Sequence, residues 1–178
     1  MPSDRQKTGE ARREKILLAL RHSIGPITGR SLAKEMNVSR QVIVSDINLL
    51  KAKNEPILAT SQGYLYMPSN PVSRVSRLIV CRHTPEQTEQ ELQLIVKHGA
   101  IVKNVVIEHP VYGEMTASLM LHNQAEVKRF TDQLSSSESS LLSELTDGVH
   151  MHEIEAENAA ILDHIEQELD HAGILHKG

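Results

Sequence analysis

The sequence predicts an α+β chain in two parts, a small helical domain closed by a hairpin and a larger layer of strands and helices. Three observations carry this. Formal charge is split, with eleven Lys and Arg against six Asp and Glu up to Pro68, and eight against seventeen from Ser69 onward. Apolar spacing is helical through most of the first part, then alternates between strand and helix periods beyond Ser76. Between them Ser69-Asn70-Pro71 breaks both periodicities and reads as a linker, dividing the chain into domains 1–68 and 69–178.

Composition narrows the class. Hydrophobic residues make up 39% of the 178, enough for packed cores, yet Tyr64, Tyr66, Tyr112 and Phe130 are the only aromatics, so those cores must be aliphatic. No apolar run approaches the length of a membrane span, and Met1 to Lys15 is polar, so a cytoplasmic protein without membrane contact is expected. Cys81 is the single cysteine, which excludes an internal disulfide and fits a reducing compartment. A basic part ahead of an acidic one predicts that the first meets a polyanion.

In the first part, Ile16, Leu17, Leu20 and Ile24 recur at helical spacing from Glu10 to Ser23, and Gly25-Pro26 ends the helix. Thr28 offers an N-cap for a short helix with Leu32, Ala33 and Met36 inward. Asn37 suits the left-handed conformation of a tight turn, and Ser39 caps a third helix running to about Ala52 with Ile43, Ile47 and Leu50 inward. Ile57 to Thr60 and Tyr64 to Met67 read as strands joined by Ser61-Gln62-Gly63. The sum is a winged helix-turn-helix. Ser39, Arg40, Gln41, Ser45 and Asn48, outward on the third helix, are residue types that hydrogen-bond base edges or phosphates in the major groove of duplex DNA. A small helical domain used for dimerisation is the competing reading.

The second part reads as strand (76–82), helix (85–97), strand (101–108), strand (114–121), helix (124–134), strand (149–155) and helix (158–172). That βαββαβα order is a split βαβ layer, one sheet with helices on one face. Ser135 to Ser140 reads as a surface loop.

His150 and His152 alternate with Val149, Met151 and Glu153, so both imidazoles leave one face of a strand with α-carbons roughly 6.6 Å apart. Two ring nitrogens at that separation converge on one metal ion. His83 stands just before a well-defined helix start, Thr84-Pro85 with Gln87 at the capping-box position, and Glu91 borders the inward stripe of Thr88, Leu92, Ile95 and Val96. Burying that carboxylate uncompensated costs several kcal/mol, and a metal compensates it. His83, Glu91, His150 and His152 thus make a three-nitrogen, one-oxygen set. Equally, the histidines fit an exposed sheet face with Glu91 solvated. Glu108-His109-Pro110-Val111-Tyr112-Gly113 either lines a pocket for a small aromatic or anionic molecule with His109 and Tyr112, or is a rigid turn. His98, His122, His164, His171 and His176 fall at helix ends or polar faces and read as solvated.

The winged motif of Ile27 to Tyr66, with Cys81-Arg82-His83-Thr84, the Glu108 to Gly113 stretch and Leu145-Thr146-Asp147-Gly148-Val149-His150-Met151-His152, resembles the niacin-responsive transcriptional repressors of the NiaR type, over nearly the whole chain. The second part resembles their 3H domain, a ligand-binding and dimerising unit. The resemblance implies a non-enzymatic repressor of genes for NAD biosynthesis and niacin uptake, with nicotinic acid as co-repressor. By position, the family's metal ligands fall on His83, Glu91, His150 and His152.

The function expected is therefore a homodimer on a palindromic DNA operator, since a helix-turn-helix reads paired half-sites. Nicotinic acid would lie at or near the metal with its ring against His109, Tyr112 and Gly113. Imidazole and carboxylate together suit Zn, Ni, Fe and Mn. Two other readings compete: a regulator for which the metal ion is itself the signal, and a metal-dependent hydrolase fused to a DNA-binding domain. Against the hydrolase, no general base or nucleophile motif accompanies the ligands.

Overall fold

In the computed structural model, residues 4–67, 74–137 and 139–177 are described. The chain divides into two compact units, 1–70 and 71–178, and the expected linker Ser69-Asn70-Pro71 lies outside the described residues. No helix among the described residues is long and apolar enough to cross a membrane.

The first unit contains α1 (Asp4–His22), α2 (Gly29–Glu35), α3 (Arg40–Ala52), β1 (Ile57–Thr60) and β2 (Gly63–Tyr66). Its core is the predicted aliphatic set, with Ile16, Leu20, Leu32, Ile43, Ile47 and Leu50 buried together. Ile24 is an exception: it lies beyond the end of α1 and is fully exposed, so the helical period overran the helix. Thr28 Oγ1 accepts from Ser31 N and Ser39 Oγ from Val42 N, capping α2 and α3 as expected. Asn37 turns the chain between them at φ 53°. Asp46, buried on α3, receives Arg12 Nε at 2.6 Å and Arg13 Nη1 at 3.3 Å and so ties α1 to α3. The wing hairpin is extended by one antiparallel bridge from Tyr64 to Ile27. Gly63 is obligatory there: at φ 131° a Cβ would stand 2.5 Å from the Ile27 carbonyl oxygen.

The second unit contains β3 (Val75–Arg82), a 3-10 turn (Pro85–Gln87) leading into α4 (Thr88–Lys97), β4 (Ile101–His109), β5 (Gly113–Leu121), α5 (Gln124–Ser136), a 3-10 helix (Leu142–Thr146), β6 (Val149–Ala156) and α6 (Ala159–His171). The strands form one sheet of order β3-β6-β4-β5 in which every neighbouring pair is antiparallel. β3 and β4 therefore run the same way with β6 between them, the split βαβ arrangement. Ile79, Cys81, Val102, Leu121, Ile154 and Ala156 on one sheet face pack with Leu92 and Ile95 of α4, Val127 of α5 and Leu162, Ile165 and Leu169 of α6. The expected loop at Ser135 begins later than its serine content implies. Ser135 Oγ donates to the Thr131 carbonyl and Ser136 Oγ to that of Gln133, so α5 carries on through Ser136.

Candidate metal centre

His150 and His152 leave β6 on the face that also carries Ile154 and Ala156, the face covered by helices. Alternation placed them together, and the burial of that face removes them from water: His150 and His152 are each 3% exposed and Glu91 1%. The reading as an exposed sheet face therefore fails. His83 follows the end of β3, and Glu91 comes from the first turn of α4, whose approach is fixed by Thr84 N donating to Gln87 Oε1. Gly148 makes the approach possible. At φ 84° it passes so close to the backbone of His83 that a Cβ would lie 2.3 Å from the His83 carbonyl oxygen.

The three imidazoles share one hydrogen-bonding scheme. Nδ1 of His83 lies 2.7 Å from the Thr84 carbonyl, that of His150 2.9 Å from the Gly148 carbonyl, and that of His152 2.6 Å from the Asn104 carbonyl. A carbonyl can only accept, so every Nδ1 carries the proton and every Nε2 is turned toward Glu91. Distances from Nε2 to the carboxylate oxygens are 2.7 Å for His83, 3.1 and 3.3 Å for His150, and 3.4 Å for His152. Neutral rings would present three lone pairs to a carboxylate. Only positive charge at the centre resolves that, either as protons on Nε2 or as a metal ion.

The electrostatics of the cluster favour those protons. Burial pulls His83 and His152 down, but the hydrogen bonds and charge of Glu91 outweigh it and both are raised. Burial likewise pushes Glu91 up, and the charge of His152 with the hydrogen bonds from all three rings holds it well below the usual carboxylate range. The donor set fits a metal as well. Ligand atoms about 2.1 Å from one ion stand about 3.0 to 3.4 Å apart in octahedral or tetrahedral geometry, close to the distances from Nε2 to the Glu91 oxygens. His83, Glu91 and His150 form the tightest group, with ligand atoms all within 4.8 Å of one another, and His152 flanks it. The backbone carbonyls on Nδ1 are what a metal-bound histidine requires to fix its tautomer. Cys81, opposite His150 on β3, adds no thiolate: burial, and then the charge of Glu91, push its thiol far up.

Beside the four side chains lies a cavity of about 30 Å³, walled by Val105, Leu119, Phe130, Leu141 and Leu142. Thr88 also lines it, and the buried Thr88 hydroxyl has no hydrogen-bond partner among the described residues. Sequence spacing placed Thr88 only in the apolar stripe and gave no signal for this role. Ser143 and His83 separate the cavity from a more open depression of about 220 Å³ that reaches Thr84, Glu144 and Asp147.

His109, Tyr112 and Gly113 are not brought to the cluster. They form the tip of the β4–β5 hairpin, where His109 Nδ1 accepts from the amides of Val111 and Tyr112, both at 3.2 Å. Gly113 has φ 71°, the two rings stand 4.9 Å apart, and Tyr112 is exposed. The turn reading describes them, and none of the three lines the cavity.

Comparison with known proteins decides the family. A model described as the 3H domain matches residues 76–178, and one described as an HTH domain matches residues 12–65. The chain is 50% identical over 179 residues to the transcription repressor NadR of Bacillus subtilis, covering 99% of each. It is 37% identical over 166 residues to the probable transcription repressor NiaR of Thermotoga maritima, covering 93% of this chain and 94% of the relative. The chain belongs to the NiaR-type family of transcription repressors. It is a DNA-binding regulator and not an enzyme.

In this NiaR-type chain the residues expected to meet DNA lie on the exposed side of α3. Ser39 is its N-cap, and Ser39, Arg40, Gln41, Ser45 and Asn48 are all exposed, opposite the buried Ile43, Ile47 and Leu50. Arg30 and Lys34 of α2 join Arg40, Asn37 and Ser39 around one shallow depression. Sequence reasoning stopped at α3 and missed these two cations, whose i, i+4 spacing on α2 is the signal that would have found them.

Proposed function

We propose that the chain is a homodimeric repressor of genes for NAD biosynthesis and niacin uptake, with nicotinic acid as co-repressor bound at the His83, Glu91, His150 and His152 cluster. The observation that carries the effector site is the pairing, in one apolar cavity, of a donor set that demands a cation with a buried hydroxyl that lacks a partner. A metal of the Zn, Ni, Fe or Mn class held by the four side chains would supply the positive charge that binds a carboxylate. Val105, Leu119 and Phe130 offer apolar walls to a planar ring, and Thr88 a hydroxyl to its heteroatom. The choice of nicotinic acid rests on the family resemblance.

A cavity of about 30 Å³ holds a water molecule and not a pyridine ring. Effector entry therefore moves the Leu142–Thr146 helix, which walls the cavity on one side through Leu142 and Ser143 and the open depression on the other through Ser143 and Glu144. That displacement is the change an effector can couple to repression, because a ligand shifts an equilibrium only by binding one state better. On the DNA side, α3 enters the major groove, with Arg40 and Gln41 reading base edges and Arg30 and Lys34 on phosphates. A dimer places two such helices on a palindromic operator.

Gel-shift titrations of wild type and His152→Ala, with and without nicotinic acid at one fixed salt concentration, test the reading. Nicotinic acid should tighten wild-type binding to the operator, and the operator should tighten nicotinic acid binding by the same factor. His152→Ala should lose the effect and keep the weak, salt-sensitive binding of the basic unit. A mutant that responds as wild type does would move the effector elsewhere, with the His109 to Gly113 turn next. Tightening by metal alone would make the ion the signal.

A further inference from the structure

A second group of ligating side chains lies where the end of α4 meets the middle of α6. His98 caps the C-terminus of α4, and His164 and Glu168 stand one turn apart on α6. His98 Nε2 lies 2.8 Å from Glu168 Oε2, and His164 Nε2 3.7 Å from Glu168 Oε1. The two rings meet edge to face with centroids 4.6 Å apart, and one ligand atom from each of the three residues falls within 4.8 Å of the others. Spacing along the chain had these histidines as solvated. The packing of α4 on α6 through buried Leu92, Ile95, Leu162, Ile165 and Leu169 brings them together and holds the backbone beneath them fixed.

We propose that His98, His164 and Glu168 form a second, solvent-accessible site for a divalent metal of the zinc class, distinct from the buried cluster. Two imidazoles and one carboxylate are a recurrent zinc donor set, with the remaining positions left to water. The Glu168 carboxylate is turned toward His98 Nε2, 2.8 Å away, and so presents an oxygen beside both rings. Lys97 Nζ, 3.2 and 3.3 Å from the two Glu168 oxygens, takes the place of a cation there. Its side chain is half exposed and free to swing into water when an ion arrives. The site is more open than the buried one, with His164 54% exposed, so it binds more weakly and exchanges faster.

Titration of untagged, metal-stripped protein with Zn²⁺, followed by calorimetry in the presence of a competing chelator, tests this. Wild type should take up two equivalents, one tight and one weaker. His164→Ala and Glu168→Gln should each remove the weaker equivalent and keep the tight one, with thermal melts confirming the fold. Lys97→Ala should tighten the weaker equivalent several-fold, because it removes the competing ammonium. A His150→Ala, His152→Ala double variant should lose only the tight equivalent, so failure of the buried site is read separately. Wild-type Zn²⁺ uptake that is unchanged in a His98→Ala, His164→Ala double variant would overturn the proposal.

Discussion

His109 at the hairpin tip and the three histidines of the buried cluster are the same residue held in opposite tautomers. In the cluster, backbone carbonyls take the Nδ1 proton and leave Nε2 as the free donor, aimed at a buried carboxylate. At the tip, two backbone amides occupy the Nδ1 lone pair of His109, so its proton sits on Nε2 and the neutral ring has no lone pair left for a metal. What separates a ring able to offer Nε2 to a cation from a turn residue is which backbone group its other nitrogen meets. Residue type and local spacing are silent on that.

The contrast is sharpest at Glu91. Replacing it by Ala in metal-free protein leaves three buried imidazoles without their anion, and urea unfolding should show a loss of about 3 to 5 kcal/mol, typical of breaking a buried charge pair. Metal content should fall with it. An unchanged midpoint would mean the cluster is solvated after all.

Proton and metal should then act in opposite directions with pH. His83 and His152 are raised in the folded state, so their contribution to metal-free stability is complete below the ordinary histidine value near 6.5 and is lost as pH rises through the raised values. Glu91 is depressed, and its contribution is lost only as pH falls through its folded value. Metal competes with the histidine protons, so metal affinity rises over the range where metal-free stability falls. Melting temperatures with and without chelator should diverge as pH rises above about 6.5. Parallel curves would separate the histidines from the metal.

Smaller effects test the cavity and the tip. Thr88→Val removes a buried hydroxyl that makes no hydrogen bond, so metal-free stability should hold or rise by about 1 kcal/mol, while the nicotinic acid response weakens. A response unchanged by this substitution would take Thr88 out of the effector site. Tyr112→Ala, on an exposed turn, should change stability by no more than about 0.5 kcal/mol and leave metal content and effector response alone. Loss of the response in this variant would reverse the comparison and make the tip the sensing element.

The βαββαβα order and the winged motif were legible because caps and periods are local: Thr28, Ser39, Thr84 and Asn37 act within a few residues. The grouping of His83, Glu91, His150 and His152 was legible in part for the same reason, since alternation fixes that His150 and His152 share a face and the Thr84-Pro85 start fixes where Glu91 falls on α4. Which face would be buried was not, because it follows from helices more distant in sequence. The Asn104 carbonyl that orients His152 was invisible for a similar cause: it comes from a bulged stretch of β4 brought alongside β6 only by the sheet. The meeting of His98 with His164 needs two helices to pack. Those misses are contacts between elements, whereas Ile24 and Ser135 are local ones, where apolar period and serine content misjudge a helix end.

The sheet order also bears on kinetics. β6 lies between β3 and β4, so the strand that carries His150 and His152 is bonded on both sides. The end of β3 before His83 is bonded on both sides as well: Cys81 bridges Leu175, Arg82 N donates to the Ile174 carbonyl and His176 N to that of Val80. The segment after α6 thus covers the outer edge of β3, and hydrogen exchange should be slow at Arg82 as in β6. The residence time of an ion held by the cluster would then respond to substitutions in 174–176, far from the histidines of β6.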